Sequence, residues 1–179
     1  MNINIFGSTG IIGTKTLNII AEHFLEIKIN LLCANNNLSK LVKQSYLFSP
    51  KFVYLNNQKK ILLLKKKINP KTKILDYNEL VDYLSVSNSY HSLLAVSGYK
   101  SLNYFELILK NSITIGLVSK EAVVSAGHLF KNYKKLYIKK LYPLDSEHFS
   151  IYQNIKNNNL DINNIKLTAS GGPFLGKKY

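Results

Sequence analysis

Polar and apolar residues alternate from the start of the chain: Ile3 and Ile5 sit beside Asn2 and Asn4, and Phe6 closes the run. A period of two over so short a span predicts a strand. From Thr14 to Phe24 the period changes, with Leu17, Ile20, Ala21 and Phe24 on one face of a predicted helix. The same exchange repeats downstream. Ile27 to Cys33 is apolar enough for a central strand, Leu38 to Phe48 is a helix closed by Pro50, and Phe52 to Leu55 is a short strand. Ile61 to Ile68 is a lysine-rich, solvated helix, Lys73 to Leu75 a strand, and Asn78 to Leu84 a helix. His91 to Val96 and Ile113 to Val118 are buried strands on either side of an amphipathic helix, Leu102 to Leu109. A further helix begins at Ser119-Lys120-Glu121, and Leu136 to Tyr142 is a strand. A helix through Tyr152, a polar loop from Asn154 to Asn164 and a strand from Ile165 to Ala169 complete the series. Strands and helices alternating at crossover spacing predict an α/β fold: a doubly wound parallel sheet with helices on both faces.

Between the first strand and the first helix lies GSTGIIG, with Gly7, Gly10 and Gly13 at every third position. Glycine permits positive φ and close approach of ligand oxygens to the backbone. The helix that follows offers N–H groups and the positive end of its dipole to a phosphate. The strand–turn–helix context favours a nucleotide site over an ordinary tight turn. The second strand ends in Asn35-Asn36-Asn37, where such folds place the adenosine ribose. A carboxylate there would select NAD. Amides with Ser39, Lys40 and Lys43 nearby would accept a 2′-phosphate, although an asparagine-rich turn also serves simply as a turn. Ligands in these sheets bind at the carboxyl ends of the strands. The glycine loop, the asparagine turn, Ser97-Gly98 and Ser119-Lys120-Glu121 are all predicted on that rim.

Composition changes the picture only in part. The 179 residues suffice for one domain with a real core. No signal peptide or membrane-length apolar run is visible, so a soluble, cytoplasmic protein with no membrane partner is expected. Cys33 is the single cysteine, which excludes an internal disulfide and a cysteine metal cluster. The net charge of +14 is carried by lysine without any arginine, amid abundant asparagine, isoleucine and tyrosine. An AT-rich gene would encode this mixture. The scattered lysines lack arginine's bidentate fork, so no nucleic-acid partner is expected.

Pro143-Leu144-Asp145-Ser146-Glu147-His148 follows the seventh predicted strand. In an extended segment, Asp145 and Glu147 fall on the same side. Paired carboxylates there would suit a hard divalent cation. The competing reading is helix capping by Asp145 or Ser146. Ser170-Gly171-Gly172-Pro173 is a turn able to offer a hydroxyl and N–H groups to an anion.

Taken together, GSTGIIG, SKEAVVSAG, LYPLDSEHFSIYQ and KLTASGGPF resemble the 1-deoxy-D-xylulose 5-phosphate reductoisomerase family, in family order across nearly the whole chain. The resemblance implies a Rossmann-like NADP-binding domain over residues 1–142. Residues 143–179 would begin an α+β catalytic, metal-binding domain. It implies an enzyme that rearranges 1-deoxy-D-xylulose 5-phosphate and reduces the product with NADPH to 2-C-methyl-D-erythritol 4-phosphate, in non-mevalonate isoprenoid biosynthesis. Mg²⁺ or Mn²⁺ would act as Lewis acid, and the partners would be a small phosphorylated sugar and a second copy of the chain. By residue, Thr9, Gly10, Ile11 and Ile12 match the pyrophosphate loop, and Asn35, Asn36 and Asn37 the turn near the 2′-phosphate. Ser119, Lys120 and Glu121 match the family's Asn-Lys-Glu, with Ser119 and Glu121 towards cofactor and Lys120 towards substrate. Asp145 and Glu147 match metal carboxylates, which favours the metal role over capping. Ser146 matches a substrate contact, as does Glu147, and Ser170 a holder of the substrate phosphate. The implied catalytic set is Lys120, Glu121, Asp145 and Glu147.

This sequence departs from the family at Ile11, where the family has serine, and at Ser119, where it has asparagine. Asn35 and Asn36 stand where glycine and lysine are usual. The family's third metal carboxylate, lid and further phosphate contacts have no counterpart up to Tyr179. The expectation is therefore a fragment or truncated form, inactive on its own. The alternative is a catalytically inactive remnant that binds NADP(H) or dimerises.

Overall fold

A computed structural model describes residues 1–86, 90–130, 140–157, 164–166 and 176. Seven strands form one sheet: β1 (Asn2–Phe6), β2 (Lys28–Ala34), β3 (Phe52–Leu55), β4 (Lys73–Ile74), β5 (His91–Leu94), β6 (Ile115–Leu117) and β7 (Leu141–Pro143). Their order is β4-β3-β2-β1-β5-β6-β7, and every pairing is parallel. The helices are α1 (Ile11–His23), α2 (Leu38–Phe48), α3 (Ile61–Lys67), α4 (Tyr77–Val86), α5 (Leu102–Asn111), α6 (Lys120–Phe130) and α7 (Ser146–Asn157). Among the described residues no helix is long and apolar enough to cross a membrane.

The strands sort their side chains by the period of two. Ile5, Leu32, Ala34, Val53, Leu55 and Leu93 point to one face, where they pack with Leu17 and Ile20 of α1, Leu38 and Leu41 of α2 and Leu64 of α3. Phe6, Leu31, Cys33, Tyr54 and Leu94 point to the other, with Leu80 and Leu84 of α4 and Phe105, Ile108 and Leu109 of α5. Two faces, each covered by helices, make the doubly wound α/β fold predicted from the pattern. The chain winds outward from β1 to β4 and then returns across β1 to β5, so the winding reverses between those two strands.

Local chemistry places the helix ends. Asn37 caps α2, its Oδ1 accepting from Lys40 N at 3.1 Å. Asp76 and Glu79 form a reciprocal box at the start of α4, with Glu79 N donating to Asp76 Oδ1 at 2.9 Å and Asp76 N to Glu79 Oε2 at 3.0 Å.

Several predicted boundaries move. Helix α1 begins at Ile11 rather than Thr14, because the glycine turn feeds directly into it. Helix α7 runs past Tyr152 to Asn157, so the start of the predicted asparagine-rich loop is helical. Asparagine's preference for turns is weak enough for such an override. Ile165 and Lys166 are in no strand, and residues 167–169 of that predicted strand lie outside the described residues.

Candidate functional site

The reversal between β1 and β5 opens a crevice at the carboxyl ends of the strands, the usual ligand position in such sheets. Its floor is the glycine turn. Gly7 N and Ser8 N both donate to Cys33 O of β2, at 2.9 and 3.0 Å, and Ala95 N of the β5 end donates to Phe6 O at 2.9 Å. Gly7 has φ +82, and a Cβ there would collide with the Ala95 carbonyl. No other residue fits that crossing. Of the motif's three glycines only Gly7 uses the positive φ that glycine permits. Gly10 is the extended N-cap of α1. Gly13 lies inside α1, where a Cβ would stand 2.7 Å from Ser8 Cα and collide with Gly7 O. Its lack of a side chain lets the helix start press onto the loop.

Beneath the loop, the buried Gln44 of α2 donates from Nε2 to Ser8 O at 2.8 Å, while its Oε1 and the Ser8 hydroxyl are buried with no partner among the described residues. Ile11 is exposed. The first N–H groups of any α-helix have no intrahelical acceptor, so the start of α1 can receive phosphate through its backbone where a hydroxyl is lacking.

A cleft of about 290 Å³ runs from this turn. Thr9, Gly10 and Asn35, all expected in a cofactor site, line it together, as do Ser97 and Asn56. Lys100, Asn103 and Tyr104 form its far wall. Sequence reasoning missed these three. The available signal was Ser97-Gly98, which marks the end of β5 and makes the next helical turn a wall of the same crevice. Asn36 and Asn37 are on the lip with Asn35, but the Asn37 side chain is spent on capping α2.

The ends of β6 and β7 bring Ser119, Lys120, Glu121, Asp145, Ser146 and Glu147 near one another. Ser119 is buried after β6, its hydroxyl 3.2 Å from Gly98 O and 3.0 Å from Glu121 Oε2. The Lys120 ammonium donates to Glu147 Oε1 at 2.6 Å, and the Ser146 hydroxyl donates to Glu147 Oε2 at 2.8 Å. Lys120 chiefly, then Ser146, holds the Glu147 carboxyl down at about 2, while Glu147 raises the Lys120 ammonium. The SKE and DSE motifs, far apart in sequence, thus meet because β6 and β7 are neighbours.

The DSE segment is not extended, as the sequence suggested, but straddles a helix start. Asp145 is the N-cap of α7: its Oδ1 accepts from His148 N at 3.0 Å, and His148 Nδ1 lies 2.8 Å from its Oδ2. The reason is the following run from Ser146 to Asn157, which propagates a helix once Asp145 caps it. His148, set aside as a lone histidine in the sequence, is brought to Asp145 by this i to i+3 spacing. The carboxylates are hard oxygen donors of the type Mg²⁺ takes. Each already has a side-chain partner, His148 for Asp145 and Lys120 for Glu147, and among the described residues no trio of His, Cys, Asp or Glu is placed to hold a metal. The donor chemistry fits a metal, then, as two ligands of a larger set. Ser170 lies outside the described residues.

Comparison with known proteins agrees with this geometry. Residues 3–127 match the family model of 1-deoxy-D-xylulose 5-phosphate reductoisomerase, and residues 141–179 match the model of that enzyme's C-terminal domain. The chain is 38% identical over 176 residues to the 1-deoxy-D-xylulose 5-phosphate reductoisomerase of Pelagibacter ubique, covering 96% of this chain and 45% of the relative. It is 34% identical to that of Agathobacter rectalis, covering 98% and 47%. The chain thus spans about half the length of the curated relatives it matches. Among solved structures, a DOX-P reductoisomerase in complex with NADPH, fosmidomycin and magnesium superposes with a TM-score of 0.74 at 28% identity, over 86% of this chain and 38% of that one. The Zymomonas mobilis enzyme in complex with NADPH gives 0.75 at 25% identity, over 85% and 40%. With a family model covering residues 3–127, most of its length, and a fold shared with the solved structures of that enzyme, the chain belongs to the 1-deoxy-D-xylulose 5-phosphate reductoisomerase family.

Proposed function

We propose that this chain is the NADPH-binding portion, and the beginning of the metal- and substrate-binding portion, of an enzyme that converts 1-deoxy-D-xylulose 5-phosphate to 2-C-methyl-D-erythritol 4-phosphate in isoprenoid biosynthesis. Residues 1–142 bind the dinucleotide, and residues 143–179 begin the catalytic domain. The observation that carries the reading is the crevice at the β1/β5 reversal, floored by a glycine turn that admits no side chain at Gly7. NADPH would supply the hydride, and a divalent cation, Mg²⁺ or Mn²⁺, would polarise the substrate's oxygens.

The chain's own residues do the placing. The backbone of Thr9, Gly10, Ile11 and Ile12 receives the pyrophosphate, and the Asn35–Asn37 turn the adenosine end. Ser119 orients Glu121 towards the cofactor. Lys120 and Ser146 face the substrate, and Asp145 and Glu147 offer oxygens to the cation. Lys120 and Glu147 hold one another at the required spacing until substrate and cation replace that pairing. The work is cytoplasmic, on a small phosphorylated sugar, and a homodimer is the expected assembly.

Titration of NADPH onto the purified 179-residue chain, followed by nicotinamide fluorescence, tests the reading. Saturable binding that Gly7→Val abolishes supports it; no binding by the unaltered chain overturns it. A second reading is an NADP(H)-binding or dimerising protein without turnover. It is favoured by one observation: Asp145 and Glu147 already have His148 and Lys120 as partners. Steady NADPH oxidation with substrate and Mn²⁺ by this chain would exclude it.

A further inference from the structure

Residues 27 to 75, which supply β2, α2, β3, α3 and β4, contain no aspartate or glutamate. The next carboxylates along the chain, Asp76 and Glu79, stand past β4, where Glu79 Oε1 lies 2.7 Å from Lys73 Nζ. In sheets of this winding the adenosine ribose lies at the end of β2, where a carboxylate would bind the 2′-hydroxyl. Amides stand there instead. They are tied to the end of β3: Asn56 Nδ2 donates to Asn35 Oδ1 at 2.9 Å, and Asn57 Nδ2 to Asn36 Oδ1 at 2.7 Å. Asn57 N also donates to Asn35 O at 2.9 Å. The two turns form one platform.

An ammonium is fixed on it. Lys60 Nζ donates to Asn36 O at 3.0 Å. Its backbone is anchored on one side by Asn57, which accepts Lys60 N at 3.1 Å, and on the other by Ile61, which packs on the core. A carbonyl oxygen positions an ammonium without cancelling its charge. An ammonium has three donors, so two are left for another acceptor. The chain contains no arginine, so lysine is the only permanent cation able to do this work.

We propose that Lys60 selects the cofactor: held over the Asn35–Asn36 turn by the Asn36 carbonyl, it receives the 2′-phosphate and makes the cleft prefer NADPH to NADH. The inference rests on the reading of the cleft as a dinucleotide site. It gives the discriminating contact to the β3–α3 connection rather than to the β2 turn, whose amides set its position. The stretch from Lys28 to Lys67, which has lysines and no aspartate or glutamate, adds positive potential at the lip.

The test is parallel titration of NADPH and NADH onto the unaltered chain and onto Lys60→Gln and Lys60→Arg. Glutamine keeps a donor for Asn36 O and removes the charge. Lys60→Gln is expected to weaken NADPH about tenfold, the worth of one charge-assisted hydrogen bond, while NADH affinity moves less than about twofold. The salt dependence of NADPH binding should flatten in that variant, and Lys60→Arg should keep the preference. A Lys60→Gln chain with the unaltered NADPH-to-NADH ratio overturns the inference and leaves the cleft reading standing. An unaltered chain that binds neither coenzyme overturns both.

Discussion

Replacing Gly13 with alanine sets two opposing effects against each other. Within a helix the change should be favourable, because alanine exceeds glycine in helix propensity by about 1 kcal/mol. At this position the new methyl would stand 2.7 Å from Ser8 Cα and collide with the Gly7 carbonyl, both of them backbone. The loop cannot turn aside, since Ser8 N is bonded to Cys33 O and Ser8 O is held by Gln44. Overpacking against fixed atoms falls at the upper part of the usual range, about 3 kcal/mol. The net is a destabilisation of about 2 kcal/mol. For a chain of this size that lowers the unfolding midpoint by about 4–8 °C. The matched control is Gly127 of α6, whose Cβ would meet nothing within 4 Å. Gly127→Ala should raise stability by up to about 1 kcal/mol. Thermal unfolding followed by circular dichroism gives both shifts. Opposite signs are expected, with weaker NADPH binding in Gly13→Ala alone. Two shifts of the same sign would refute the account of the glycine turn as a close-packed phosphate cradle.

The Glu147 carboxyl should titrate near 2 by NMR and return towards the ordinary carboxylate range in Lys120→Met, whose midpoint would otherwise match the unaltered chain. Because its folded pKa is depressed, whatever stability this pair contributes is present above the ordinary value of 4.5 and is lost as pH falls towards about 2. Asp145→Asn keeps an N-cap acceptor but removes a charge, so the unfolding midpoint should hold while Mn²⁺ affinity, read by water-proton relaxation, falls; unchanged Mn²⁺ binding would leave Asp145 as a cap only. Leu41, wholly buried on the inner face of α2, should cost about 2–5 kcal/mol as Leu41→Ala in urea unfolding.

Much of this molecule can be read from neighbouring residues. The two periods of hydrophobicity identify every strand from β1 to β6 and the helices between them, because each element buries one face or stripe. The cap at Asn37, the acidic box at Asp76 and Glu79 and the glycine turn are likewise short-range chemistry. The site was only half visible in this way. Thr9, Gly10 and Asn35 carry motif signals and do line one cleft, whereas Lys100, Asn103 and Tyr104 carry none. The extended reading of Asp145–Glu147 failed because two-residue spacing cannot tell a strand from a capped helix start.

Local pattern, then, was sufficient for the kind and sequence of the elements and for the glycine turn, since both depend on dihedral preferences within a few residues. Which rim residues meet was settled by strand order, and strand order depends on pairings between distant segments. The parallel neighbours β6 and β7 put Lys120 against Glu147, and the return from β4 across to β5 opens the crevice. The ties between the ends of β2 and β3 carry Lys60 to Asn36, a meeting no spacing rule encodes.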